Sequence, residues 1–356
     1  FVDQLGIGNF DYPLGTHETN IDEASIQSRF HPKRMAEELI KKTSESYAFD
    51  YGGDRLDFLY DMVTYKGEGP ETYVEIGYVV PSHQLGTVSD GQGLKTWLNT
   101  HVVFRDDDYN RMANVSKRIG PIERSMEVVA GKKPGVDLHT AMLDMNAPAG
   151  SYLSAVEVRD EATRRIGIFE QVFTVPDYDS DSLMISDIKL AMSITPDEGT
   201  GPFIRHGLKI EPNPARLYQR AEPVHFYYEI YNLAQDAQGR ALYQVELEVT
   251  TKERRRNIIW KFLAGLGELI GRSDDEQSIF MVFENRGLAP DEYSYTSIDT
   301  GESPIGTYAM TLRIKDLHSG QTVSKTKNFV VTNDRSTAFS QDEQEQPIDM
   351  PLMDNE

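Results

Sequence analysis

From about Tyr51 to Thr332 apolar and polar residues alternate in short runs, broken by Gly, Pro, Asn and Asp. Alternation with period two between turn residues is the mark of half-buried β-strands. One pattern occurs twice. Pro148 to Val175 and Pro304 to Val331 align over their whole length without a gap. Pro148/Pro304, Gly150/Gly306, Tyr152/Tyr308, Asp160/Asp316, Phe173/Phe329 and Val175/Val331 are identical. Both copies open on Pro-x-Gly, alternate through Tyr152-Ser154-Val156-Val158 or Tyr308-Met310-Leu312-Ile314, cross a polar turn and end in Phe-x-Val. Each copy predicts an antiparallel hairpin, and the pair predicts a duplicated all-β unit whose last hairpin this is.

The other runs fit that count. LDFLYDMVTYKGEGPETYVEIGYVVP splits at Gly67-Glu68-Gly69-Pro70, a hairpin signal. WLNTHVVF, SMEVVA and DLHTAMLDM add strands before the first copy. In the second half ISDIKLAMSI, GLKIEPNP, VHFYYEIYNL, ALYQVELEVT and SIFMVFEN precede the second copy. The expected fold is all-β: two tandem immunoglobulin-like β-sandwiches, at 51–176 and 184–333, joined by a linker at 177–183. Two helices break the pattern. His31-Pro32 opens a short N-terminal one, with Met35, Ala36, Leu39 and Ile40 on one face of an arm at 1–50. The second is an amphipathic helical insert at 252–271 in the second sandwich, where Ile258, Ile259, Phe262, Leu263, Leu266, Leu269 and Ile270 follow helical spacing and Trp260 lies off the stripe.

Composition narrows the function classes. A chain of 356 residues, 39% of them apolar, is long enough for two buried cores. It has no cysteine, so disulfides and thiolate metal sites are excluded. The net charge of -21 disfavours general binding to nucleic acid or anionic lipid. Residues 334–356 form an acidic tail. No apolar run reaches the length of a membrane-spanning helix. The chain begins at Phe1 without a leader pattern, which is expected of a mature product or a fragment.

The segment SDIKLA, then GLKIEPNPARLY, EPVHFYYEIYNL and GTYAMTLRIKDLHSG, resembles the C-terminal region of bacterial GWxTD-domain proteins, as does TYVEIGYVVPSHQL. The naming motif Gly-Trp-x-Thr-Asp is absent, Trp97 and Trp260 standing in other contexts. The resemblance implies a bacterial envelope or extracellular protein and transfers no functional residue.

Candidate chemistry is sparse. The eight histidines show neither H-E-x-x-H nor an i,i+4 pair, and there is no G-x-S-x-G and no phosphate loop. Gly6-Ile7-Gly8 lacks the third glycine and the flanking strand and helix of a dinucleotide site. Asp177-Asp179-Asp181 has the 1-3-5 spacing of a calcium loop, but Ser182 and Ile188 stand where Gly and Glu belong, so a solvated linker is expected. Asp106-Asp107-Asp108 with Asn110 reads as a polar turn. Glu246 and Glu248 alternate on one strand and read as its solvent face. Tyr227, Tyr228 and Tyr231 read either as core or as a sugar-binding platform.

No catalytic, cofactor or metal residue is predicted, so the expectation is a non-enzymatic structural or interaction protein. It would be a scaffold component of a bacterial envelope (periplasmic or outer-membrane associated) or extracellular assembly, with protein partners or self-assembly and no nucleic acid. The stripe at 252–271 reads as a crossover helix covering its own sandwich, as a partner-binding surface or as a membrane-surface contact; the expected partner-binding residues are Ile258, Ile259, Trp260, Phe262, Leu263, Leu266, Leu269 and Ile270. The alternative function is a carbohydrate- or peptide-binding β-sandwich module.

Overall fold

The computed structural model describes residues 55–89, 94–124, 138–251, 261–262, 268–274, 278–301 and 303–333. The expected helix near 31–42 and the acidic tail at 334–356 lie outside these residues. Apart from a 3-10 turn at Ser82–Gln84, the described elements are strands. The N-terminal ones are β1 (Leu59–Lys66), β2 (Thr72–Pro81), β3 (Val88–Ser89), β4 (Leu94–Arg105), β5 (Arg111–Arg124), β6 (Leu138–Ala147), β7 (Gly150–Asp160) and β8 (Ile166–Val175). They form one sheet of order β1-β2-β6 and a second of order β3-β4-β7-β8, with β5 also on β4.

The C-terminal strands begin with β9 (Met184–Ile185), β10 (Lys189–Pro196), β11 (Ile204–Arg205), β12 (Leu208–Pro212), β13 (Leu217–Gln219), β14 (Pro223–Tyr231) and β15 (Ala241–Thr251). They continue with β16 (Lys261–Phe262), β17 (Glu268–Asp274), β18 (Ser278–Gly287), β19 (Glu292–Asp299), β20 (Gly306–Asp316) and β21 (Thr322–Thr332). One sheet runs β11-β12-β10-β14-β19-β16, with β9 on β14, and the other β13-β21-β20-β15-β18-β17.

The alternation seen in the sequence sorts side chains between faces. In β2, Val74, Ile76, Tyr78 and Val80 enter one core, where Leu98, Val102 and Phe104 of β4 and Val156 and Val158 of β7 meet them. In β14, Val224, Phe226, Tyr228 and Ile230 enter a second core, facing Val245, Leu247 and Val249 of β15 and Met310, Leu312 and Ile314 of β20. Pairing repeats between the halves. As β4 lies antiparallel between β5 and β7, so β15 lies between β18 and β20. As β2 lies between β1 and β6, so β14 lies between β10 and β19.

The two hairpins match in detail. Tyr152 stands opposite Phe173, and Tyr308 opposite Phe329. The Tyr152 hydroxyl donates to the Pro148 carbonyl at 2.9 Å, and that of Tyr308 to Pro304 at 2.7 Å. Asp160 Oδ2 accepts from the Gly86 amide and the Thr163 hydroxyl; Asp316 Oδ2 accepts from the Ala234 amide and the Ser319 hydroxyl. Each aspartate thus ties its hairpin turn to a distant segment. Removing either tyrosine hydroxyl forfeits the bond to the proline carbonyl at an almost fully buried ring, with a longer contact to the Ala149 carbonyl at 3.4 Å also lost at Tyr152. Tyr152→Phe and Tyr308→Phe are each expected to cost about 1 kcal/mol in urea titration. Unequal losses, one near zero, would contradict the equivalence.

Within the expected helical insert at 252–271, the described residues 261–262 and 268–271 are strand, which corrects the expectation there. Lys261 and Phe262 pair with Asp299 and Ile298, and Glu268–Asp274 pairs along β18 with a register irregularity between Leu269 and Gly271. Phe262, Leu269 and Ile270 therefore lie on strands. The remaining expected partner-binding residues, Ile258, Ile259, Trp260, Leu263 and Leu266, lie outside the described residues. A short apolar run fits both periods, and here the open edge of β18 decides by offering a ladder of hydrogen bonds. Gly265 and Gly267 weaken the helical alternative by about 1 kcal/mol each.

Candidate functional site: the buried junction and its aromatic margin

The outer face of β1-β2-β6 packs on the outer face of β12-β10-β14. Val63 and Tyr65 from the first, with Tyr73 beside them, meet Ala191, Leu208, Ile210 and Tyr227 from the second. The sheets approach closely at Gly77, where a Cβ would stand 3.2 Å from Pro214 Cγ. The outer edge of β1 is closed rather than left open. Thr64 O accepts from the Asp187 amide at 3.2 Å, Thr64 N donates to Asp187 Oδ2 at 3.0 Å, and Lys66 N donates to the Tyr231 hydroxyl at 3.0 Å.

Three buried charged groups link the N-terminal strands to the C-terminal ones. Two lie within this contact, and one, at Asp61, reaches β21 and the residue before β13. Lys189 Nζ donates to Glu75 Oε2 at 2.6 Å, with both side chains about 4% exposed, and Met142 Sδ lies 3.6 Å from the same ammonium. Asp61 receives both Arg216 and Lys327, the latter at 2.7 Å. Burial alone would raise the Asp61 carboxyl, but the charges of Arg216 and Lys327 outweigh it and hold it below the usual carboxylate range. Burial, with Arg216 alongside, lowers the Lys327 ammonium.

Glu229 is the hub of the third group. It accepts from Tyr227 OH at 2.7 Å, Tyr231 OH at 2.8 Å and Arg205 Nε, with His206 Nε2 at 3.4 Å. Burial pushes its carboxyl up; the bonds from His206, Arg205 and Tyr227 and the Arg205 charge more than reverse this and set it at about 2. The Arg205 guanidinium lies 4.0 Å from the Tyr65 ring centre and 5.3 Å from that of Tyr73. Such a cation over aromatic faces ties the hub to β1 and β2. Tyr178 belongs to the same cluster: its ring meets Tyr231 edge-on at 5.2 Å and its hydroxyl bonds Thr64 Oγ1 at 2.9 Å.

The segment expected as a solvated linker therefore does two things. Asp177, Asp179 and Asp181 face solvent, with Asp177 Oδ1 accepting the Asp179 amide, while Tyr178 turns inward. Among the described residues no group of three acid or imidazole side chains converges as a metal site. Asp106 accepts from the Asp108 and Asn110 amides and closes the β4–β5 turn. The tyrosine platform is corrected. Tyr227 and Tyr231 are buried in the junction and Tyr228 points the other way into the second core, so none offers a ring face to solvent. The pattern that marks the hub, Tyr227-Glu229-Tyr231 on one face of an otherwise apolar strand, was present in the sequence. Arg205 and His206 carried no such signal, sitting in a Gly/Pro-rich break.

Beside the junction a cleft of about 410 Å³ opens between Val79 and Thr140 on one side and Met192, Pro212, Pro214 and Leu217 on the other. Its carboxylate, Glu211, is already held by Lys209 at 2.8 Å and Ser193 at 3.0 Å. No nucleophile with an adjacent base stands among the groups that line it. Among the described residues no helix is long and apolar enough to cross a membrane.

No family model matches the chain, and no curated protein matches it. Among solved structures it is similar to one titled BspA_C_mut, at 8% identity, covering 77% of this chain and 98% of that one with a TM-score of 0.22. It is also similar to Escherichia coli alpha-2-macroglobulin activated by porcine elastase, at 9% identity and a TM-score of 0.19, covering 79% of this chain. The match spans 22% of that second structure's length. Likeness at this level carries no functional argument.

Proposed function

We propose that the chain is a non-enzymatic structural and interaction protein in which two immunoglobulin-like sandwiches, at 51–176 and 184–333, form one rigid spacer. The hydroxyl of Tyr152 and of Tyr308 bonding back four residues has the form of the tyrosine corner of such sandwiches, which supports that assignment. The observation that carries the functional reading is the junction. Buried ion pairs and a shared carboxylate hub fix one sheet face on the other, which suits a part that holds its neighbours at a set separation. The 14-residue β5 pairs only with β4 among the described residues, and its outer edge offers main-chain pairing to a protein partner. Residues 252–271 are a second place for such a partner. The resemblance of its sequence phrases to GWxTD-domain proteins is what supports a role in a bacterial envelope or extracellular assembly.

The absence of cysteine makes the test clean. Spin labels at Ser116→Cys and Ser324→Cys, both exposed positions in different sheets, are expected to give a single narrow distance distribution. A broad distribution in the intact chain would sink the rigid-spacer reading.

A further inference from the structure

A strand position that is filled in one half of the molecule stands open in the other. β5 has the place in the N-terminal half that β18 has in the C-terminal one, each antiparallel to a central strand, β4 or β15. β6 and β19 correspond in the same way, beside β2 and β14. In the C-terminal half both outer edges are covered: β17 pairs antiparallel with β18, and β16 with β19. Both covering strands come from the chain between β15 and β18. Between β4 and β5 there is only the turn at 106–110, which supplies no such strand. Among the described residues β5 pairs with β4 alone and β6 with β2 alone. The charge along this open edge is the reverse of the chain's. The chain carries 57 acids against 36 bases, whereas β5 carries Arg111, Lys117, Arg118 and Arg124 against Glu123 alone. Glu161 engages Arg118 at 2.6 Å. Arg111 and Lys117 are exposed and have no carboxylate partner among the described residues, and Arg111 stands opposite Arg105.

We propose that the open edge of β5 is taken by the chain's own acidic C-terminal segment, 334–346, added to β5 as β17 is added to β18. This assignment rests on the reading of that edge as a pairing surface, and it names what competes there with a foreign partner. Sequence, reach and charge each select this occupant. Residues 334–346 contain neither proline nor glycine, which suits a strand, and they carry Asp334, Asp342, Glu343 and Glu345 against Arg335 alone. They also start nearby. β21 ends at Thr332, which pairs with Gln219; Leu217, two residues back on β13, lines one cleft with Leu138 and Thr140 of β6. Leu138 packs on the same core as Ile119 and Ile122 of β5. The step from 332 to 341 covers up to about 30 Å when extended, several strand spacings of about 4.8 Å. Opposite charges across a strand pair stabilise it and like charges destabilise it. A second copy pairing through its own β5 would set Arg111, Lys117 and Arg118 against a like set, whereas the acidic segment meets them with carboxylates.

Amide hydrogen exchange along β5 in the full chain tests this. The outward-facing amides of β5 are expected to exchange at least about tenfold more slowly than in a chain carrying Asp342→Lys, Glu343→Lys and Glu345→Lys together, at every protein concentration. Adding Arg111→Glu and Lys117→Glu to that triple variant is expected to restore the protection, which an unrelated structural effect of either set would not do. Unchanged exchange on β4 and β7 checks that the sandwich is kept in each form. A charge swap that fails to restore protection overturns the proposal. So does protection that grows with protein concentration, which would make the occupant a second copy. The two readings fail differently. Outward amides of β5 unprotected in every form overturn the tail's part and leave the edge free for a foreign partner. The same amides protected in every form mean that the edge is closed by something else, and the pairing surface falls with the proposal.

Discussion

Lys189→Ala is expected to destabilise the protein by about 3–5 kcal/mol in urea titration, and Glu75→Ala by a similar amount. Each change leaves one unpaired charge in a contact where both side chains are about 4% exposed and Met142 is the other polarisable neighbour of the ammonium. Taking one charged group out of water costs several kcal/mol, and the partner's attraction is what offsets it. The paired replacement Lys189→Met with Glu75→Leu removes that cost from both sides and is expected to lie within about 1 kcal/mol of the parent or above it. Against total stabilities of about 5–15 kcal/mol, the single changes remove a large fraction and the double change almost none. The non-additivity is the diagnostic. Two single losses below about 1 kcal/mol would mean that water reaches the pair and that the junction is looser than its geometry.

The same pair shows which parts of this molecule its sequence discloses. Glu75 sits in TYVEIGYVV and Lys189 in SDIKLA, each as one charge in a strand whose neighbours are apolar. Periodicity places such a residue on the face opposite the core, and that face is ordinarily wet. Only tertiary contact turns it into an interior position, 114 residues away from its partner. Local pattern did place the hairpins at Gly150–Val175 and Gly306–Val331, because the two-residue period, the Pro-x-Gly entry and the turn aspartates are all encoded within 28 residues. The same rules misread 268–271. There the apolar spacing fits helix and strand alike, and the deciding contact is the edge of β18, which follows it in the chain. Tyr227, Tyr228 and Tyr231 could be assigned to strand but not to surface or interior, since an outer sheet face is exposed or buried according to what lies on it. The half-exposed rings at Tyr293 and Tyr295 were indistinguishable from them by pattern.

Acid titration reads the hub directly. Glu229 in the folded chain is held at about 2, below its ordinary 4.5, so the folded state favours the carboxylate. A group lowered on folding contributes stability that is complete above its unfolded value and disappears as pH falls through the folded one. The contribution is therefore full above about pH 5 and lost between there and about pH 2. At about 1.4 kcal/mol per unit its size is about 3 kcal/mol. Asp61 is lowered as well and titrates in the same direction, so the parent curve alone cannot assign the loss. Glu229→Gln separates them. With no carboxylate, Arg205 loses its ion partner and the hydroxyls of Tyr227 and Tyr231 compete for one amide oxygen, for an expected cost of about 3–5 kcal/mol at pH 7. The difference between parent and variant is then expected to shrink by about 3 kcal/mol from pH 7 to pH 2, as the parent's glutamate takes up its proton. A difference that stays constant over that range would show that Glu229 titrates alike in both states, and the hub would be a geometric coincidence rather than the electrostatic anchor of the junction.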